Sequence, residues 1–150
     1  MESTFKFKQE AIKEFFARAT TQEERYQLLI DLGKQRSPLP SEEKTEKNRV
    51  RGCQSETYMK TTFRDGRCFF QIDSDALISA GLGQLLSSVY SGETPEVILT
   101  SSPTYLEEIG IFGALTPGRA NGLLSMFAKM RQEALRLSDT SSKEGQKLPG

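Results

Sequence analysis

Histidine and tryptophan are absent from the 150-residue chain, and cysteine occurs only twice, at Cys53 and Cys68. Without imidazole there is no Ser-His-Asp or Cys-His pair, no histidine-held zinc or haem, and no side chain that ordinarily titrates near neutral pH. Two thiols are too few for a four-thiolate zinc or iron–sulfur site in one chain. They are not spaced as CxxC and do not make a secreted disulfide scaffold. An excess of either charge is missing too: 20 Lys+Arg balance 20 Asp+Glu, which leaves no electrostatic case for nucleic acid or a membrane surface. No apolar run approaches bilayer length and the N-terminal residues hold no apolar stretch, so a reducing cytoplasm is the expected compartment. The apolar fraction of 36% is low, yet nine Phe and four Tyr supply large side chains for one core, and the length suits one domain. Chemistry is left to a thiol, carboxylates, lysines and arginines.

What is present begins with helical spacing. Phe7, Ala11, Phe15 and Ala19 recur as a stripe, with Ile12 and Phe16 beside it. Thr21-Gln22-Glu23-Glu24 reads as a capping box opening a second helix, which Gly33 ends. Residues 34–52 are polar, hold Pro38 and Pro40 and lack apolar periodicity, a long loop of the kind that carries function in compact domains. That loop runs into Gly52-Cys53. A hairpin follows, with strands over 57–63 and 68–73 around the turn signal Asp65-Gly66. With those two residues central, Phe63 faces Cys68, Thr61 faces Phe70 and Met59 faces Ile72, on one mostly apolar side. Cys68 is thereby expected in the core.

Beyond the hairpin the pattern is helical. Ser74 reads as the cap of a helix with Ile78, Leu82, Leu85, Leu86 and Val89 on one face, and Asp73 and Asp75 read as complements to its dipole. Gly81 and Gly83 inside it suggest a close backbone approach. Thr94-Pro95, Ser102-Pro103 and Thr116-Pro117 each place a capping hydroxyl before a proline at a helix start. The last helix carries Leu123, Phe127, Met130, Ala134 and Leu137 as its apolar stripe. The expected organisation is one domain over 1–137 and a disordered polar tail over 138–150. The fold class is α+β: a small antiparallel sheet covered by helices from both ends of the chain.

Two places could carry chemistry. Cys53 follows Gly52, which lets the backbone expose the sulfur, and Arg49 and Arg51 are near enough in sequence to favour a thiolate. Arg119 and Asn121 fall in the first turn of the last helix, where dipole logic alone would not choose an arginine.

The segment Arg49-Val50-Arg51-Gly52-Cys53-Gln54-Ser55 resembles the cysteine motif of the SufE family, sulfur acceptors that partner cysteine desulfurases in iron–sulfur cluster assembly. Glu24-Arg25-Tyr26 with 29–33, Pro38-Leu39-Pro40, 46–50, Asp73-Ser74-Asp75-Ala76 with Gly81-Leu82, Tyr90-Ser91-Gly92 with Thr94-Pro95, and 115–123 are similar to further family stretches in the same order. The likeness runs from about Phe15 to Leu137. It implies a SufE/IscU-like fold and a persulfide carried on Cys53, taken from a desulfurase with enhancement of its activity and delivered to an iron–sulfur scaffold. It also implies supporting roles for Arg119, Gln54, Gly52 and Arg51, and no resident cofactor or metal, pyridoxal phosphate belonging to the desulfurase. A monomer or weak homodimer is expected, as a sulfur-transfer partner without independent turnover. The alternative is a non-catalytic binding partner that activates the desulfurase allosterically. Tyr58-Met59 and Gly118 depart from the family's pattern, Gly118 standing where a serine is frequent and loosening the helix's first turn.

Overall fold

A computed structural model describes the backbone of residues 4–147 and the side chains of residues 4–138. The chain forms α1 (Thr4–Phe16), α2 (Gln22–Lys34), β1 (Thr57–Arg64), β2 (Arg67–Ser74), α3 (Leu77–Tyr90), α4 (Pro95–Thr100), α5 (Thr104–Glu108) and α6 (Pro117–Lys147), with single 3₁₀ turns at Ser41–Glu43 and Ile111–Ala114. This is the α+β architecture expected, with a two-stranded antiparallel sheet. Asp65 and Gly66 both take positive φ, 54° and 74°, the hairpin turn whose twist matches the strands it joins. The register is the one the turn dictates: Phe63↔Cys68, Thr61↔Phe70, Met59↔Ile72.

Met59, Cys68, Phe70 and Ile72 are buried on the sheet face against which α3 packs. The α3 stripe Ile78, Leu82, Leu85, Leu86 and Val89 is buried as its periodicity requires, and so is the α6 stripe from Leu123 to Leu137. A Cβ on Gly83 would stand 2.6 Å from the Ile72 side chain, so the glycine sets how near helix and sheet come. Gly33 does not stop α2. The helix runs on to Lys34, because Gly33 and Gly81 are where α2 and α3 cross: a Cβ would lie 2.1 Å from the Leu77 carbonyl oxygen in one case and 2.0 Å from the Leu29 oxygen in the other.

Three further expectations give way to tertiary contacts. The buried side of α1 is set by Phe5, Ile12 and Phe16, not by Phe7, which is 73% exposed. Phe5 stacks on Tyr90 and Lys8 pairs with buried Glu93 at 2.7 Å, and together they turn the helix. Ser74 ends β2 rather than capping α3, whose cap position is Ala76. Asp73 is therefore not a dipole complement. It is almost fully buried and accepts from Arg36 Nε at 2.7 Å, Leu39 N at 3.0 Å and Ser74 N at 2.9 Å, pinning the long loop to the sheet. Burial alone would raise its carboxyl; those donors outweigh burial and hold it below the usual range. Asp75 likewise serves the loop, accepting from Glu56 N.

Thr94 and Thr116 cap α4 and α6 as expected, whereas α5 starts one residue late with Pro103 at its cap. The backbone of α6 continues to Lys147; residue 138 apart, the side chains of the expected tail over 138–150 lie outside the described residues. Among the described residues no helix is long and apolar enough to cross a membrane.

Candidate active site

The long loop is closed at its end before it reaches the cysteine. Val50 N donates to Thr57 O at 2.8 Å, Met59 N donates to Asn48 O at 2.7 Å, and Arg49 bridges to Tyr58, so 48–50 lie alongside the start of β1. Residues 51–56 are left as a short excursion with Cys53 near its tip. The excursion runs antiparallel along the first turns of α6, on a trough of small residues spaced as i, i+4 and i+7. Gly52 lies over Ser125, Cys53 over Gly122 and Gln54 over Gly118.

The glycines there have physical reasons. Gly52 has φ +92°, and a Cβ on it would stand 2.4 Å from Ser125 Oγ. Gly118, expected only to loosen the helix, is a packing site, since a Cβ would be 2.3 Å from the Gln54 amide nitrogen. Gly122 would hold a Cβ 3.5 Å from the sulfur, an ordinary contact.

Cys53 is half-buried, and its thiol donates to the Gly122 carbonyl at 3.7 Å. Burial pushes the thiol up; the nearby Thr57 hydroxyl and the charge of Arg119 pull the other way without cancelling it. The expected thiolate bias from the neighbouring arginines is not found. Arg51 turns outward to pair with Glu46 at 3.1 Å, and both side chains are largely exposed. Arg49 lines a polar cleft of about 310 Å³ together with Lys47, Arg51, Lys129 and Ser125. The cation that acts on the sulfur comes from 66 positions away, Arg119 in the first turn of α6. Its guanidinium Nη1 donates to Ser79 Oγ at 2.8 Å.

Sequence reading missed the hydroxyls beneath the loop. Ser55, Thr57, Ser74 and Ser79 form a connected set: Thr57 to Ser74 at 3.0 Å, Ser74 to Ser55 at 3.1 Å, Ser55 to Ser79 at 2.8 Å. Thr57, Ser74 and Ser79 are buried. The one signal in the sequence was a row of small hydroxyls at inward positions, Thr57 opening β1 and Ser79 in the first turn of α3.

Cys68 is completely buried, as its register requires. Burial and the charge of Glu133 push its thiol up to about 11 against the influence of Arg136. Both cysteines are free. Among the described residues no group of three or more Cys, Asp or Glu is placed to hold a metal ion. The site so assembled has one accessible nucleophile, one cation and a cradle of hydroxyls.

The pattern of a family described as "SufE: Fe-S metabolism associated domain" matches residues 10–134. An uncharacterized SufE-like protein of Synechocystis is 38% identical over 124 residues, covering 83% of this chain and 78% of that one. SufE-like protein 1, chloroplastic/mitochondrial, of Arabidopsis thaliana is 36% identical over 126 residues, 80% of this chain but only 34% of the longer relative. A solution structure of a hypothetical protein from Thermus thermophilus shares the fold, with a TM-score of 0.69 at 23% identity over 86% of this chain and 94% of its own.

Proposed function

Because the chain belongs to the SufE family, which is associated with Fe–S metabolism, we propose that it is a sulfur carrier that takes sulfane sulfur from a cysteine desulfurase onto Cys53 and hands it to an iron–sulfur scaffold. The observation that carries this reading is the placement of Cys53 on a short excursion closed at its base and laid over small residues of α6, beside Arg119. Such a thiol can change position without unravelling either the sheet or the helix.

The chemistry is thiol–persulfide exchange. Cys53, as thiolate, attacks the outer sulfur of a persulfide on the desulfurase cysteine. The S–S bond of the donor breaks, its electron pair leaves on the desulfurase thiolate, and a new S–S bond forms at Cys53. The proton lost from the Cys53 thiol matches the one the departing thiolate can take up, and no net oxidation occurs. A recipient thiolate then repeats the step on the Cys53 persulfide. In the resting position burial and the Gly122 carbonyl favour the thiol, so ionisation belongs with the lifting of the tip toward the donor. The pyridoxal phosphate chemistry that generates the sulfane sulfur is the desulfurase's, the carrier needs no cofactor of its own, and the cytoplasm is the proposed compartment.

Incubation with a desulfurase, pyridoxal phosphate and cysteine, followed by intact-mass analysis, should add one sulfur atom to the wild type and none to Cys53→Ser. Desulfurase stimulation undiminished by Cys53→Ser, with no sulfur on the wild type, would replace the carrier by the binding-only activator.

A further inference from the structure

The cations that precede Cys53 in the chain gather in a cleft beside its loop. The stretch leading into the excursion forms one wall of this cleft and α6 the other, around a space of about 310 Å³. Lys47, Arg49 and Arg51 line the first wall and Lys129 the second. Ser125 belongs both to the cleft and to the trough under the excursion, where Gly52 lies over it. The cleft therefore opens next to the residue that precedes Cys53. We propose that it is the docking site for an acidic segment of the protein that exchanges sulfur with Cys53, and that Glu46 holds the place of that segment's carboxylate until it arrives. The proposal rests on Cys53 being the sulfur carrier.

Four cations line the cleft against one carboxylate, in a chain whose formal net charge is zero. Such a concentration gives a local field and no general attraction for polyanions. The one carboxylate is Glu46, held by Arg51 Nη2 at 3.1 Å with both side chains largely exposed. An exposed pair of this kind contributes little, so a partner's carboxylate can replace Glu46 at small cost. Arg51 would then anchor the segment two residues from the sulfur. Lys129 Nζ donates to the Lys47 carbonyl at 3.0 Å, a bond that spends no carboxylate. Among the described residues Lys47 and Arg49 form no ion pair. Glu133, one turn beyond Lys129, is taken by Arg136 at 3.2 Å.

The walls are set before any partner binds. Arg49 bridges to Tyr58, Val50 N is held on Thr57 O, and the bond from Lys129 to Lys47 ties the loop to α6. A surface already in shape loses less freedom on association. The space is that of a few side chains, and no aromatic ring lines it on which a nucleic-acid base could stack. Carboxylate side chains of a polypeptide suit it better than a nucleic-acid strand.

The first test is equilibrium binding of a fluorescein-labelled hexaglutamate peptide to the full-length protein at low salt. Binding should saturate and should weaken as salt is added. Arg49→Glu should weaken it roughly tenfold, because a like charge then faces the peptide. Lys47→Glu, at an exposed side chain, serves the same purpose should Arg49→Glu not fold. Glu46→Gln should act the other way and tighten binding a few-fold, since Arg51 is released. Lys34→Glu, an equal charge change on an exposed residue of α2, should bind as the wild type does. The second test is the desulfurase concentration that gives half-maximal sulfur acceptance, which should rise roughly tenfold in Arg49→Glu and fall in Glu46→Gln. Absence of saturable peptide binding would overturn the proposal, and so would equal weakening by Lys34→Glu. Glu46→Gln binding no tighter than the wild type, or oligothymidylate binding more tightly than the peptide, would overturn it as well. Sulfur acceptance indifferent to Arg49→Glu at every desulfurase concentration would remove the docking site and leave the carrier standing. A wild type that gains no sulfur while the peptide results hold would remove the carrier and support the cleft as a site for acidic segments.

Discussion

Cys68 is locked into a ladder, with its backbone N–H on Glu93 O at 2.8 Å and its carbonyl accepting from Gly92 N at 2.7 Å, whereas Cys53 rides on an excursion that touches α6 through side chains and glycines. Burial raises both thiols, so burial does not tell them apart. What differs is the second influence. For Cys68 it is the carboxylate of Glu133, which pushes the same way and outweighs the opposing charge of Arg136; for Cys53 it is Thr57 and Arg119, which push back. A half-buried thiol with groups that partly offset its burial, on an excursion tied down at its base, is the better placed of the two for the exchange proposed. A fully buried thiol fixed in a ladder beside a carboxylate is a core side chain that happens to contain sulfur.

The sharpest way to break this comparison is to exchange the roles. Cys53→Ser should abolish sulfur acceptance with little change in melting temperature, and Cys68→Ala should leave acceptance intact. Sulfur recovered on Cys68 by peptide mass mapping would erase the distinction. In the folded protein iodoacetamide should reach Cys53 long before Cys68, which should label only on denaturation.

Asp73 tests where the movable region ends. Its carboxylate ties Arg36 and Leu39 to β2, and Asp73→Asn should cost about 2 kcal/mol in urea unfolding through weakened charge-assisted hydrogen bonds. The sign of the pH effect follows from the lowered folded value: the stabilisation is full above the ordinary carboxylate range and is lost as pH falls through the depressed value. The wild type should therefore show a steeper fall in stability below about pH 4 than Asp73→Asn, and parallel curves would show that Asp73 is not the acid-sensitive tie.

Gly52→Ala probes the excursion itself. A side chain at φ +92° that also meets Ser125 should cost roughly 1–2 kcal/mol locally. It should show as faster Cys53 alkylation, the tip being displaced from α6, with Cys68 still protected. The smallest effect belongs to Cys68→Ala, about 1 kcal/mol for a small vacancy in the core, measured by chemical denaturation.

The features legible in sequence were those set by neighbours along the chain. Asp65-Gly66 dictates its own turn, the turn dictates the register, and the register buries Cys68. Thr21 and Glu24 form their capping box within one turn, and the apolar stripe of α6 needs only its own period. The cysteine loop was legible by its motif. What could not be read depends on elements far apart in sequence. Gly33 has the composition of a helix stop, and only the crossing of α2 and α3 makes it a contact. Ser74 and Asp73 have the chemistry of a helix cap and were claimed instead by Thr57 and Arg36. Arg51, two residues from Cys53, was the natural choice of cation, but its side chain points to Glu46, while Arg119 is delivered by α6. Thr57 and Ser79 gave only a weak signal, small hydroxyls at inward positions, since each taken singly looks like any small core residue.

The closure of 48–50 against β1 also acts as a ruler. Cys53 is three residues beyond Val50, whose N–H is held on Thr57 O. Three residues at full extension span about 10 Å, so while that bond holds the Cys53 Cα can stand no farther than this from Val50. If the chain carries sulfur as proposed, a partner must present its reacting atom within that tether plus one side chain while the bond holds. A donor whose sulfur lies deeper than the tether allows is excluded by length alone, whatever its surface chemistry.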